Sequence, residues 1–362
     1  MKYLINTITS WNEPPRARHQ VAEALAKNNE VIFIARNERG KQRIEISKIN
    51  ENLTVITPYY PIDYRIRYRI PFINEIYQNW LFKILSNKYQ NVRVINFEHT
   101  ATQIYKYFNN VIYYCNDEYL KCYLTRSLLV MIYHYFTEKI VTKKALFCVG
   151  ICKYLKDKLL KSNPDSFLIY LGAPNICNKK YNSNKRINNK KNKIDICYVG
   201  TFGRLNIKWI KYLLKYNENY ILTMIGTLDR DTKNQFIDYN NINFIGLKIY
   251  DELYDYITRM DICIAPYMTG KNINRVVSIP NKIWLYLSFG KPVVACNIPN
   301  LKINNKFVYQ SQCAEDFVDN IELAISENTE KLIRQRIEFA QKNTWNNRIE
   351  ELLRVYSIYD KS

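Results

Sequence analysis

The chain has 362 residues, 47% of them hydrophobic, and a formal net charge of +20. This length predicts two domains, and the apolar content excludes a disordered chain. The longest apolar run, at 128–133, is far shorter than the roughly 18 residues of a membrane-spanning helix, and the first ten residues lack a signal-peptide pattern. We therefore expect a cytoplasmic chain.

The positive charge is concentrated in the first half. Residues 1–175 hold 25 Lys and Arg against 14 Asp and Glu, whereas residues 194–362 hold 21 against 19. This asymmetry indicates that the first half faces an anionic partner. The nine cysteines are scattered and the three histidines are unpaired, so we expect reduced thiols in the core and no metal site.

Short apolar runs alternate with helix-patterned segments, which is typical of parallel sheets covered by helices. The strands expected in the first half are Tyr3–Asn6, Val31–Ala35, Leu53–Thr57, Val92–Phe97, Val111–Cys115, Leu146–Val149 and Phe167–Leu171. Those expected in the second half are Ile194–Val199, Tyr220–Ile225, Ile242–Ile245, Asp261–Ala265, Pro292–Cys296 and Lys306–Tyr309. The pattern predicts an α/β protein of two doubly wound, Rossmann-like domains that face each other across a ligand-binding cleft.

Four segments follow from this pattern. We predict a first domain over 1–175, a polar, basic linker over 176–193, a second domain over 194–342, and a C-terminal segment over 343–362 that carries a final helix. The linker is rich in Asn and Lys and has almost no apolar residues, so it cannot bury a core.

The second domain begins with a strand that enters a two-glycine loop at 198–205. Glycines allow the backbone to approach a ligand, and the guanidinium of Arg204 matches phosphate oxygens. Thr201 and Gly203 lie in the same loop. An ordinary strand-to-helix turn is the alternative. Further on, the strand at 242–245 ends at Gly246, and Tyr250 is placed to offer a flat face to a base, or to pack in the core.

The segment 278–294 predicts a turn, a short helix and a buried strand. Ser278 suits an N-cap, Pro280 suits the first turn, and Gly290 ends the helix. The unpaired N–H groups near Asn281 and Lys282, together with the lysine charge, form a site for phosphate. This points to a nucleoside diphosphate.

Taken in order, these motifs resemble the carboxyl half of GT-B glycosyltransferases, most closely bacterial enzymes of exopolysaccharide, capsule or teichuronic-acid synthesis. The resemblance covers most of 194–350 and rests on Gly-Thr-Phe-Gly-Arg-Leu, Phe-Ile-Gly-Leu, Tyr-Asp-Glu-Leu, Asp-Ile-Cys-Ile-Ala-Pro, the segment 280–294, and Asn-Thr-Trp at 343–345 with Arg348. It implies that the second domain binds a nucleotide sugar, with UDP expected, and that the first binds the acceptor. The final helix would cross back to the first domain. No metal or other cofactor is implied.

The first half resembles these enzymes more loosely, at 11–20 and 113–118. An inverting transfer needs a group that takes the proton of the acceptor hydroxyl, and Asp117 or Glu118 stands at a strand end where it can do so; we prefer Asp117. Either residue can instead cap the next helix. His19 is a further catalytic candidate. Arg16, Arg18 and His99 are candidates for acceptor binding, with His99 also a second candidate base.

One feature departs from the family pattern. Many retaining GT-B enzymes carry two glutamates around the key helix, and here the corresponding residues are Val277 and Leu285. The missing second carboxylate removes the usual partner of the donor ribose and favours an inverting enzyme.

The segment 59–72 alternates arginines with aromatic and aliphatic residues, a composition suited to an anionic membrane surface. A half-buried strand or hairpin is the alternative. We therefore expect a glycosyltransferase that moves a sugar to a membrane-associated glycan or lipid-linked acceptor, peripherally bound to the inner face of the membrane, and that binds no nucleic acid. The alternatives are a nucleic-acid-binding protein and a non-catalytic scaffold of the same fold.

Overall fold

The computed structural model describes residues 1–122, 127–176, 193–203, 205–227, 230–268, 279–298, 301 and 303–360, with the backbone alone for Lys121, Cys122 and Tyr250. The chain divides into two compact units. The first comprises Met1–Tyr170 and the chain from Arg348 onward, and the second comprises Leu171–Asn347.

The elements of the first unit alternate between strand and helix. They are β1 (Lys2–Asn6), α1 (Ala17–Ala26), β2 (Glu30–Ile34), β3 (Glu38–Arg39), β4 (Arg43–Asn50), β5 (Leu53–Tyr60), α2 (Tyr64–Arg67), α3 (Ile73–Lys88), β6 (Arg93–Asn96), a 3-10 turn (Thr102–Lys106), β7 (Val111–Cys115), α4 (Tyr119–Cys122), α5 (Leu128–Lys144), β8 (Cys148–Gly150), α6 (Lys153–Leu160) and β9 (Ser166–Leu168).

The main sheet of the first unit is parallel, in the order β5-β2-β1-β6-β7-β8-β9. The order reverses between β1 and β6, where the side-chain amide of Asn6 donates to Asn96 at 2.8 Å. Helix α3 covers one face, and its residues Tyr77, Leu81 and Leu85 recur every four positions and are buried. Each such side chain contributes about 2 kcal/mol on leaving water.

Strands β3 and β4 were not predicted from the sequence. Strand β4 runs antiparallel to β5 at the sheet edge, and nearly all its residues are exposed. Ile44 and Ile46 alternate with charged residues, but the alternation covers only two positions of a strand that is otherwise polar, which is too short a signal to separate it from a loop.

The second unit holds a smaller sheet. Its elements are β10 (Ile194–Val199), α7 (Ile207–Tyr216), β11 (Tyr220–Ile225), α8 (Arg230–Asn234), β12 (Ile242–Gly246), α9 (Tyr250–Arg259), β13 (Ile262–Ala265), α10 (Asn281–Ser288), β14 (Val293–Cys296), β15 (Val308–Ser311), α11 (Ala314–Ser326), α12 (Glu330–Gln341) and α13 (Trp345–Tyr359). All its strand pairs are parallel, in the order β12-β11-β10-β13-β14-β15.

In this sheet the chain starts at β10, moves outward to β12 and then returns to β13 on the other side of β10. This is the strand order of doubly wound nucleotide-binding folds, whose ligands bind beyond the carboxyl ends of the strands where the order reverses. The fold class predicted from the sequence is confirmed: both units are parallel α/β layers.

Helix α13 begins in the second unit and continues as part of the first. Within the first unit its residue Tyr356 is buried against the rings of Tyr3 and Phe147, at centroid distances of 6.1 and 5.0 Å. The second unit begins at Leu171, and within it Ala173 bonds through its backbone to Asn343 and Trp345. The predicted linker lies almost entirely outside the described residues.

Candidate functional site

Each of three neighbouring strands of the second unit has a glycine at its carboxyl end or directly after it. The N–H of Gly200, after β10, donates to the carbonyl of Ile225 at 2.8 Å, and the N–H of Gly226, after β11, donates to the carbonyl of Gly246 at 2.9 Å. A Cβ atom on Gly226 would lie 2.0 Å from the carbonyl oxygen of Gly200. The strand-end loops are therefore in direct backbone contact, at a distance that only glycine allows. No side chain separates them, so backbone groups form the carboxyl edge of the sheet here.

Gly226 was missed by the sequence analysis. Its signal was present, because Ile225-Gly226-Thr227 repeats the pattern of Val199-Gly200-Thr201 one strand earlier. A recurring strand-end glycine on consecutive strands of a parallel sheet indicates adjacent loops at one edge.

Lys282 lies over the first of these loops. It stands in the first turn of α10, and its Nζ atom is 3.8 Å from the ring centre of Tyr198 and 5.0 Å from that of Tyr267. A Cβ atom on Gly200 would lie 2.7 Å from the same Nζ atom. Tyr198 belongs to β10 and Tyr267 follows β13, so the lysine marks the reversal point of the sheet.

Burial among these rings lowers the pKa of Lys282 to about 7. The aromatic faces compensate part of the lost hydration of the ammonium group. A polyanion at this point would favour the charged form again, so the lysine is suited to meet phosphate groups as they bind.

Helix α10 is held to the end of β10 by Tyr286. Its buried hydroxyl accepts a hydrogen bond from the backbone N–H of Val199 at 2.8 Å, and Tyr198 donates to the carbonyl of Thr201 at 2.7 Å. These bonds fix the start of α10 relative to the glycine loop. The helix spans Asn281–Ser288, and Gly290 follows it two residues later with a φ of +68°, a conformation that favours glycine.

Only some of the other residues predicted to contact the donor are described by the structure. Arg204 and Ser278 lie outside the described residues, as does Val277. The side chain of Tyr250 is not described, although α9 begins there. Thr201, Gly203 and Asn281 are exposed, and Leu285 is half-buried.

In the first unit, His19 uses both ring nitrogens inside its own loop. Its Nδ1 atom accepts from the N–H of Arg16 at 3.0 Å, and its Nε2 atom donates to the carbonyl of Ser10 at 3.0 Å. Burial against Trp11 and Phe33 lowers the pKa of His19, so the ring is neutral. His19 thus shapes the loop before α1 and presents no open nitrogen.

The two arginines near His19 differ sharply. Arg18 is buried and donates to the hydroxyl of Tyr119 at 2.8 Å and to Asn116 Oδ1 at 3.4 Å, which ties α1 to the loop after β7. The side chain of Arg16 is 61% exposed and pairs with Glu13 at 2.7 Å. Of the two, Arg16 is the one that a ligand could reach.

Asp117 and Glu118 follow β7 directly, at the carboxyl edge of the sheet. Glu118 is buried and paired with Lys158 at 2.7 Å, and the same Nζ atom contacts Glu138 at 2.7 Å. Asp117 is half-buried and accepts from the N–H of Glu118 at 2.8 Å. Glu118 is therefore committed to a structural ion pair, while the carboxylate of Asp117 still faces solvent in part.

His99 is not at a surface. The ring is fully buried, stacks on Tyr119 at 4.2 Å and lies 3.1 Å from Nδ1 of His134. Burial holds its pKa well below the usual value. Just before His99, the side chain of Asn96 accepts a hydrogen bond from the N–H of Glu98 at 3.0 Å, which forms a tight turn after β6. The position therefore differs from the accessible one we expected for an acceptor contact or a base.

No group of three or more His, Cys, Asp or Glu side chains in the described ranges is arranged to hold a metal ion. Among the helices that the structure describes, none has the length and hydropathy to span a membrane.

The two parallel α/β units give the protein the GT-B fold, and the match of its second unit to a glycosyltransferase family identifies it as a glycosyltransferase. Residues 193–327 match the family model described as Glycosyl transferases group 1. No curated protein sequence matches the chain.

Solved structures resemble the chain over nearly its whole length. An α,α-trehalose-phosphate synthase from Burkholderia xenovorans, in complex with glucose-6-phosphate, has a TM-score of 0.69 at 10% identity, with 98% of each chain covered. The structure described as trehalose-6-phosphate from E. coli bound with UDP-2-fluoro glucose has a TM-score of 0.67 at 10% identity, again over 98% of each chain. HepE from Anabaena, in complex with UDP and glucose, has 0.63 at 11%, covering 97% of this chain and 98% of its own. At such identities the likeness establishes the fold.

Proposed function

We propose that this glycosyltransferase uses a UDP-linked sugar and transfers it, with inversion, to a membrane-associated glycan or lipid-linked acceptor in cell-surface polysaccharide synthesis. The observation that carries the donor half of the proposal is Lys282, which stands over the Gly200 loop at the reversal point of the second sheet. Two of the similar structures are described with UDP or a UDP-sugar.

The diphosphate would bind at the start of α10, where unpaired backbone N–H groups and the charge of Lys282 act together. Stabilising the leaving diphosphate at that point is the main catalytic contribution we assign to the second unit. We assign the base to Asp117, because Glu118 is already paired with Lys158 and His19 has no open nitrogen. Arg16 remains our candidate for acceptor binding.

The polysaccharide role and a peripheral position on the inner face of the membrane rest on the sequence resemblance and on the basic first half. The nucleic-acid-binding alternative finds no support in the family match or in the fold. Turnover of a UDP-sugar would distinguish the proposed enzyme from a non-catalytic scaffold of the same fold.

The test is calorimetric titration with UDP, followed by a screen for turnover of UDP-sugars. We expect Lys282→Met to weaken UDP binding at pH 6.5 by tenfold or more, a loss of about 1.4 kcal/mol or more. Lys215→Met is the matched control, because Lys215 is exposed at the end of α7 and lines a surface depression with Glu218 and Asn241. A folded protein that binds no nucleotide and turns over no nucleotide sugar would refute the proposal.

A further inference from the structure

Helix α5 of the first unit has its polar and apolar faces reversed. The residues that it buries are mainly polar, and the residues that it exposes are mainly apolar. The buried set comprises His134, Thr137, Glu138, Val141 and Thr142. The exposed set comprises Leu128, Leu129, Ile132, Tyr135, Phe136 and Ile140, with Leu129 77% and Phe136 56% exposed. A surface helix of a globular domain normally shows the opposite arrangement.

Specific polar contacts hold the helix in this orientation. Glu138 pairs with Lys158 at 2.7 Å and accepts from the hydroxyl of Tyr113 at 3.1 Å. His134 lies 3.1 Å from His99. Rolling the apolar face inward would expose these contacts and break a buried ion pair, which is strongly unfavourable. The apolar face therefore points outward because the buried polar contacts of Glu138 and His134 fix the orientation of the helix.

The exposed face continues onto the start of α3. The hydroxyl of Tyr133, on α5, bonds to Asn74 at 2.8 Å and to Glu75 at 3.0 Å. Beside these two residues, Phe72 is 82% and Ile76 is 60% exposed. Two helices thus contribute to one apolar surface, which we call the α3–α5 surface.

Cations border this surface. On α5, Lys139 and Lys143 are exposed and continue the row of Ile132 and Phe136 at spacings of three and four residues, so they share its face. Arg65, on α2, is also exposed. An apolar face with lysines at one end matches the interface of a bilayer that carries anionic headgroups, since rings and aliphatic groups enter below the headgroups while ammonium groups remain among the phosphates.

We propose that the α3–α5 surface docks the protein onto an anionic membrane, with α5 lying in the interface. The inference deepens the proposed function and rests on its membrane-associated acceptor. It extends the contact that we predicted for 59–72: Phe72 of that segment is exposed on this surface, whereas Arg67 is buried with its guanidinium bonded to Asn37 and paired with Glu98.

The experiment is flotation of the full chain with vesicles of phosphatidylglycerol and phosphatidylcholine, and with vesicles of phosphatidylcholine alone. We expect the wild-type chain to float with the anionic vesicles, with binding that weakens at high salt. The double variant Leu129→Gln, Phe136→Gln should reduce the partition coefficient at least tenfold. The matched control is Ile237→Gln, Ile358→Gln, which removes two apolar side chains exposed elsewhere at 78% and 60%; it should float like the wild type.

Circular dichroism and UDP titration of the same preparations keep the outcomes separate. Vesicle binding without UDP binding would uphold this inference and refute the proposed donor. Flotation of the double variant at the wild-type level would overturn the inference. So would a wild-type chain that is a dimer in solution and becomes a monomer in the double variant without binding vesicles, because the surface would then join two copies of the chain.

Discussion

The ammonium group of Lys282 lies 3.8 Å from the centre of the Tyr198 ring, between α10 and the end of β10. The contact joins the start of a helix to the strand at which the sheet order reverses. It places the partly desolvated ammonium group of Lys282 in the site. The consequences of this relationship can be measured.

UDP binding should depend on pH through Lys282. In the free protein its pKa is lowered to about 7 by burial, so above pH 7 the ligand binds with uptake of a proton. The affinity for UDP should fall by up to tenfold per pH unit between pH 7 and 9. Calorimetry in buffers of different ionisation enthalpy would show an uptake that approaches one proton.

Lys282→Arg is the control for this effect. A guanidinium stays protonated throughout this range, so any UDP binding that the variant retains should lose the pH dependence. An unchanged slope in the variant would assign the proton to another group.

Gly226→Ala should destabilise the second unit. The new Cβ atom would meet the Gly200 carbonyl at 2.0 Å, and both are backbone positions that cannot move independently of the sheet. We expect a loss of about 2–4 kcal/mol in the free energy of unfolding, measured by urea denaturation, and weaker UDP binding.

Gly203→Ala serves as the comparison, because among the described residues, its chain neighbours apart, no atom lies within 4 Å of a Cβ at that position. It should change the free energy of unfolding by less than about 1 kcal/mol. Equal effects of the two substitutions would show that contact between the loops is not the cause.

Asp117→Asn should reduce turnover and leave the fold intact. If Asp117 is the base, the loss in kcat is about 100-fold or more, since the amide cannot accept the proton, and UDP binding is unaffected. Glu118→Gln should instead act on stability: we expect a lower melting temperature, because the substitution weakens the ion pair with the buried Lys158. Unchanged turnover in a folded Asp117→Asn protein would remove Asp117 from the mechanism.

The stability of the first unit should decrease in mild acid. Burial lowers the pKa of His134 to about 4, whereas the unfolded chain titrates near 6.5. Below pH 6.5 the unfolded state therefore binds the proton first, and stability is lost progressively as the pH falls towards 4. The contribution of His134 to this loss is about 3 kcal/mol by pH 4.

Urea unfolding followed at pH 7.5, 6 and 5 measures this slope. In His134→Gln the slope should decrease by about one proton, while titration of the carboxylates still contributes equally in both proteins. A variant with the wild-type slope would show that His134 is hydrated in the native state.

The strands of both sheets could be predicted from sequence because each is a short run of apolar residues between helices, and β7, β10 and β11 have the predicted bounds. Helix α10 was equally clear, since a proline and a glycine bracket its two ends. The mostly polar edge strand β4 gave only a short alternation at Ile44 and Ile46, and no local pattern showed that the apolar residues of α5 face solvent.

What the sequence determined by itself is the fold class: alternating strand and helix patterns predict two parallel α/β domains, because they depend on local periodicity. The expectation of a glycosyltransferase came from the resemblance of the ordered strand-end motifs to that family. Which polar residues are exposed was decided only by the tertiary structure. Asp117 and Glu118 are adjacent in the chain, yet Lys158, 40 residues beyond Glu118, forms its ion pair with Glu118 and not with Asp117. His99 is likewise buried by contact with α5, and Lys282 owes its pKa to rings from two other elements. Burial and pairing depend on residues distant in sequence, and no local pattern contains them.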